Sequence, residues 1–237
     1  MDTSLLDAVR SGDRRALSRA ITQVEQDASP SGLEAPDTVI GITGPPGAGK
    51  STLISEMIGV IRSRGETVGV LAVDPSSPIT GGAILGDRIR MQAHVDDEGV
   101  YVRSMATRGH LGGLAAATRE AVALLGKAGF DRVVVETVGV GQSEVDIMRL
   151  ADVVVLVVGP SWGDQVQADK AGIVEIADVF VVNKGDRPGV DEVTRALRES
   201  ADARDVKVMV TTAIDGEGVA EVLEEIDRLA VVAGSQT

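Results

Sequence analysis

The chain has 237 residues, 43% hydrophobic and 25% charged, a globular balance that excludes disordered and collagen-like polymers. Its 36 acidic against 23 basic residues give a net charge of −13, which disfavours non-specific binding to nucleic acid or anionic lipid. It has no cysteine and two histidines, His94 and His110, which excludes disulfide frameworks, thiolate zinc, iron–sulfur clusters and histidine-rich metal sites.

The start MDTSLLDAVR lacks the basic flank and apolar stretch of a signal peptide, and the longest clean apolar run, Val153 to Val158, is too short to span a bilayer; a cytoplasmic location is expected. Ser4 to Gln26 reads as two short helices interrupted at Ser11-Gly12-Asp13. This segment, over residues 1–30, is read as an N-terminal helical appendage, and Ser29 to Pro36 as a linker. From Thr38 short β-branched runs alternate with helical segments, and residues 38–231 are read as one further domain. The runs lie at 38–43, 67–73, 99–103, 132–136, 152–158, 178–182 and 206–212, most of them continuously apolar, as strands covered on both faces must be. Gly49–Arg64, Leu111–Lys127, Val190–Ser200 and Gly218–Leu229 are long enough for crossover helices. This alternation predicts an α/β fold: a doubly wound, mostly parallel sheet with helices on both faces.

Gly44, Pro45, Pro46, Gly47, Ala48, Gly49, Lys50 and Ser51 match the Gly-x-x-x-x-Gly-Lys-Ser pattern, with Thr52 following. Glycines let the backbone curl its N–H groups toward phosphate oxygens. Lys50 would reach the β- and γ-phosphates, and the Ser51 hydroxyl would ligate Mg²⁺. A turn of this composition can also be a plain strand-to-helix connection, but here it leaves an apolar strand and opens a helix, the context that phosphate binding requires.

The base is addressed further on. Asn183-Lys184-Gly185-Asp186 follows an apolar strand at the carboxyl edge where doubly wound folds bind ligands. An Asp carboxylate there accepts from the imide and exocyclic amine of guanine, whereas adenine would leave it unpaired. Such residues also build ordinary turns; the place after a P-loop and a strand favours guanine. Thr212, Ala213 and Ile214, after the last strand, would close the base pocket with backbone donors. Glu136 ends its strand where an acid can hold Mg²⁺ or its water, and Gly139 can bring an N–H to the γ-phosphate. Asp74 ends a second strand. The Gly-, Pro- and Ser-rich stretch from Asp74 to Arg90 can order or relax with nucleotide, as a GTPase switch does, or serve as a solvated loop. For Arg88 and Arg90 a surface ion pair and a functional role are both open.

The stretches DPSSPITGGAILGDRIRM (74–91) and VETVGVGQSE (135–144) resemble the MeaB/MMAA (ArgK-type) family of P-loop GTPases, from about Val39 to Gly218. These are chaperones of adenosylcobalamin-dependent acyl-CoA mutases, formerly described as arginine/ornithine transport ATPases. The resemblance implies a SIMIBI-class fold, GTP/GDP with Mg²⁺, slow hydrolysis accelerated by a partner mutase, and gating of cofactor loading, with damaged cofactor expelled. It places Ser51, Asp74, Asp87 and Glu136 in the Mg²⁺ and catalytic set, with Lys50, and Lys184 and Asp186 in the guanine set. Ras-like proteins carry Asp where Glu136 stands.

The family's third switch typically reads Gly-Asp-Glu-Leu-Gln-Gly-Ile-Lys-Lys-Gly; here residues 163–172 read GDQVQADKAG. Lys170 falls on the lysine that couples this loop to the active site, while Gln165, Ala168 and Asp169 depart and bear on partner identity. Trp162, the only tryptophan, precedes it. A solitary Trp is more often core packing, yet its fluorescence is expected to respond to nucleotide or partner. Family members usually continue into a helical arm that makes a homodimer; the chain after Leu229 is short, and an arm-mediated dimer is not expected. A nickel-metallochaperone GTPase suits a cysteine-free, histidine-poor chain badly, an ATP-dependent kinase or transport ATPase is disfavoured by Asn183 to Asp186, and a dead binding module by Lys50, Ser51 and Glu136. The identity of the client mutase stays open.

Overall fold

A computed structural model describes residues 1–26, 36–74, 94, 96–106, 111–137, 142–165, 171–201 and 206–234. Seven strands, β1 (Thr38–Thr43), β2 (Val68–Asp74), β3 (Val100–Ala106), β4 (Arg132–Thr137), β5 (Val153–Val158), β6 (Val179–Asn183) and β7 (Lys207–Thr211), form one sheet in the order β3-β2-β4-β1-β5-β6-β7. Every pairing is parallel, a stricter outcome than the mostly parallel sheet expected.

The apolar runs divide by alternation, because successive side chains of a strand point to opposite faces. On β5, Val154, Leu156 and Val158 enter one core while Val153, Val155 and Val157 enter the other. The second core is covered by α3 (Lys50–Ser63) and by the helix at Val219–Gly234. The first is covered by α4 (Leu111–Lys127), by Gln142–Met148 (α5) and by Val190–Ala201, with Ala171–Ile176 packed beside it; in chain order the last three helices are α6 (Ala171–Ile176), α7 (Val190–Ala201) and α8 (Val219–Gly234). Two-sided cover is why these strands lack the polar alternation of a half-exposed sheet.

The N-terminal helices α1 (Thr3–Arg10) and α2 (Arg14–Val24) break at the predicted Ser11-Gly12-Asp13. Asp13 caps α2, its Oδ1 accepting from the N–H groups of Arg15 (2.8 Å) and Ala16 (3.1 Å). Leu17 and Ile21 are fully buried in the first core, each burial contributing about 1.5–3 kcal/mol. Side chains of α2 and of the residue that caps its end also reach β3: Ser18 Oγ lies 3.0 Å from the Tyr101 hydroxyl, and Arg103 pairs with Glu25 at 2.8 Å.

Two helices were not anticipated. α5 and α6 span 7 and 6 residues, too short to show a helical period. α8 runs past the expected end at Leu229 to Gly234, since no Gly or Pro stops it earlier. No described helix is long and apolar enough to cross a membrane.

Candidate functional site

The central strand β1 lies between β4 and β5, and the chain leaves β1 toward one side of the sheet and β5 toward the other. A crevice opens at the carboxyl ends of such strands, where the connections diverge. The loop 44–49 sits there. Gly44 has φ +144°, and a Cβ on it would stand 1.9 Å from the Val157 carbonyl oxygen, so the loop turns hard against β5. Gly49, at φ +96°, caps α3 with no side-chain hydrogen bond. A helix N-terminus entered in this way presents its backbone N–H groups to an anion.

Lys50 is 94% buried, and its Nζ donates to the carbonyls of Gly44 (2.8 Å) and Pro45 (3.2 Å), which holds the ammonium inside the loop. Ser51 Oγ donates to Glu136 Oε1 at 3.0 Å, with both residues buried. Register explains the meeting: Glu136 stands level with Ile42 of β1 and Ala72 of β2, at the edge from which the P-loop departs. Thr137 Oγ1 donates to Thr43 Oγ1 at 3.0 Å just beneath, a buried pair that sequence reasoning missed because two lone threonines carry no motif. A hydroxyl and a carboxylate brought together are hard oxygen donors, the chemistry that Mg²⁺ takes. The residues present therefore fit a magnesium nucleotide.

Asn183 ends β6 and is buried among four partners. Its Nδ2 donates to the carbonyls of Ala48 (3.0 Å) and Gly49 (3.4 Å), while Oδ1 accepts from Thr211 Oγ1 and Ala213 N–H, each at 3.1 Å. It ties the phosphate loop to the last strand. Lys184 has φ +65°, the one non-glycine positive φ among the described residues, and donates from Nζ to the Gly47 carbonyl at 2.6 Å. That backbone turn leaves Asp186 exposed beside the crevice. Of the three expected base-pocket donors, Thr212 N–H is given to the Glu217 carbonyl (3.1 Å) and Ala213 N–H to Asn183, while the Ile214 side chain is 78% exposed.

The structure thus gathers Gly44 to Thr52, Glu136, Asn183, Lys184, Asp186 and Thr212 to Ile214 at one sheet edge. Asp74 ends β2 two strands from β1, its side chain outside the described part. Asp87, Gly139 and Lys170, with Arg88, Arg90 and most of the linker, lie outside the described residues. A cleft of about 560 Å³ beside the loop is lined by Pro45, Gly47, Trp162, Lys184 and Arg187. Arg187 was missed, although its place after Asp186 is a signal that could have found it. Trp162 is buried in the first core, in line with the packing expectation, and borders this cleft too. Its emission is expected to shift on adding GTP or GDP; an identical spectrum through nucleotide and partner additions would defeat that expectation.

The model of the family described as methylmalonyl-CoA mutase-associated GTPase MeaB matches residues 13–236. A protein of Pyrococcus horikoshii named as a GTPase is 52% identical over 239 residues, covering 94% of this chain and 75% of that one. The GTPase ArgK of Escherichia coli is 37% identical over 240 residues, covering 92% and 72% respectively. Among solved structures, that of a LAO/AO transport system kinase is similar at a TM-score of 0.73 and 26% identity, over 99% of this chain and 78% of its own. With a glycine-rich loop, a buried serine–glutamate contact and the Asn183–Asp186 turn at one edge, and a family model spanning nearly the whole sequence, the chain belongs to the MeaB family of GTPases.

Proposed function

We propose that this GTPase is a chaperone of an adenosylcobalamin-dependent acyl-CoA mutase of the methylmalonyl-CoA type. In this reading it gates cofactor loading and protects or reactivates the mutase. The contact between Ser51 and Glu136 beside the enclosed Lys50 carries the catalytic half of the reading. The client class rests on the description of the matching family.

Mg²⁺, held by Ser51, Glu136, Asp74 and Asp87, would neutralise charge on the phosphate oxygens. The chain's own contribution is positional. The N–H groups at the start of α3 cradle the phosphates, and Lys50 turns from the Gly44 carbonyl toward the β–γ bridge. Glu136 keeps Ser51 in place and accepts from water ordered at its carboxylate. Gly139 lends a backbone donor, and Lys170 or a partner group completes the site. Asn183 holds the loop, and the Asp186 carboxylate accepts from guanine. An Asp186→Asn chain is expected to bind GTP about a hundredfold more weakly with an unchanged melting temperature; unchanged affinity would remove the base assignment.

Single-turnover GTP hydrolysis with and without such a mutase tests the whole reading. Stimulation of about tenfold or more, equal to about 1.4 kcal/mol off the barrier, is the expected result. Hydrolysis indifferent to every such mutase would leave the GTPase and remove the chaperone.

A further inference from the structure

We propose that the buried hydroxyl pair Thr43–Thr137 is a positioning device for the divalent cation of the nucleotide, resting on the reading of Ser51 and Glu136 as the metal end of the site. Both threonines are fully buried, and Thr137 Oγ1 donates to Thr43 Oγ1 at 3.0 Å. Alternation along the strands places them. Ile42 and Val134 enter the second core, while Val133 and Val135 enter the first. Glu136 therefore points to the side of the sheet covered by α3, where Ser51 meets it, and Thr43 and Thr137 point to the other side. The hydroxyls act through the strand ends and not by touching the reacting groups.

Packing alone does not call for hydroxyls there. Their neighbours on the same face, Val133, Val135, Leu156 and Val158, are all aliphatic, and valine has the shape of threonine. Two buried hydroxyls cost free energy unless they meet with correct geometry, so the pair fixes a distance that two valines would leave soft. What it fixes is the joint between β1 and β4. Backbone register between these strands runs as far as Ile42 beside Glu136. One residue on, Thr43 is level with Leu156 of β5 and Thr137 with Val73 of β2, so each end is carried by a different neighbour and the hydroxyls span the gap. Directly after Thr43 comes Gly44, whose carbonyl accepts from Lys50 and whose backbone is pressed against Val157. Directly before Thr137 comes Glu136, whose Oε1 accepts from Ser51 at 3.0 Å. The pair thus clamps the start of the phosphate loop to the acid that faces Ser51. Mg²⁺ demands near-ideal octahedral geometry, so a small splaying of these ends weakens the hold on the ion without emptying the loop of nucleotide.

The test reads the coupling between Mg²⁺ and nucleotide on the full chain. GDP affinity is titrated against Mg²⁺ and measured again in EDTA, with melting temperature followed in parallel. Thr137→Val, which keeps the volume and removes the donor, is expected to raise the half-saturating Mg²⁺ concentration about tenfold while GDP affinity in EDTA stays within about twofold. Thr137→Ser keeps the hydroxyl and should return the Mg²⁺ response to within about twofold of wild type. A Thr43→Val/Thr137→Val chain should be no worse than either single variant, since both cut the same bond. Val133→Ala, which opens a cavity on the same face, should lower the melting temperature and leave the Mg²⁺ response alone. If Thr137→Val does not fold, Thr43→Val takes its place. A Thr137→Val chain whose Mg²⁺ response matches wild type overturns the proposal, and a lower melting temperature alone would make the pair a pin for strand register. Additive losses in the double variant, or no rescue in Thr137→Ser, overturn it equally. A wild-type chain whose GDP affinity ignores Mg²⁺ would instead remove the metal reading of Ser51 and Glu136, and the role of the pair with it.

Discussion

A Lys50→Ala chain is expected to hydrolyse GTP about two to three orders of magnitude more slowly than wild type in single turnover. Donors aimed at developing charge in a water-poor site are worth that much, because they act at low effective dielectric and need no reorganisation. On the proposed reading Lys50 is held for this purpose. Its ammonium is already enclosed by the loop, donating to the Gly44 and Pro45 carbonyls, and needs only a short swing to exchange them for phosphate oxygens. The fold should suffer little. Of the two residues whose carbonyls are left behind, Pro45 borders the cleft and Gly44 is buried, so the stability loss is expected near about 1 kcal/mol. Rate by product quantification and stability by urea titration check both halves. A rate within about threefold of wild type would take Lys50 out of the mechanism.

Asn183→Ala should damage stability and binding together. Its amide serves four partners on three segments, and removal leaves the buried Ala213 N–H and the Ala48 carbonyl without their bonds. Net losses of 0.5–1.5 kcal/mol per bond, with a buried donor stranded, give about 2–3 kcal/mol. For a chain of this length that corresponds to a melting temperature lower by about 5–10 °C. GTP affinity should fall by about tenfold or more, since the loop loses the strut that fixes Ala48 and Gly49. The comparison with Asp186→Asn is informative. Both variants lose GTP affinity, but only Asn183→Ala loses stability, because Asp186 is exposed and Asn183 is interior. Equal melting temperatures for Asn183→Ala and wild type would show that the strut is redundant.

Much of this site is legible in the sequence because its parts are local. Gly44 to Ser51 must be contiguous, since one turn of backbone has to wrap one phosphate group. Asn183 to Asp186 is likewise a single turn. Six of the seven runs match their strands within a residue at either end, since interior strands buried on both faces read as continuous apolar runs, while the edge strand β3 continues three residues past its run to Ala106. Other parts left no local trace. Thr43 and Thr137 meet across β1 and β4 as two ordinary threonines, and Arg187 and Trp162 share the cleft only because the segments that follow β6 and β5 end at the same place. Thr212 to Ile214 lie at the same sheet edge, but the N–H groups of Thr212 and Ala213 are given to Glu217 and Asn183, partners that no reading of the tripeptide reveals.

The sequence by itself determined the strands, the longer helices, their order, the glycine-rich loop and the turn at 183–186, because each is specified by side-chain period or by residues within one turn of one another. Only the tertiary structure decided the strand order β3-β2-β4-β1-β5-β6-β7, and with it which distant residues share an edge. Ser51 and Glu136 are separated by 85 positions, and Asn183 and Ala48 by 135. The direction in which each crossover leaves the central strand brings them together. That choice is made by packing helices against two faces at once, a property of the whole sheet that no local window contains.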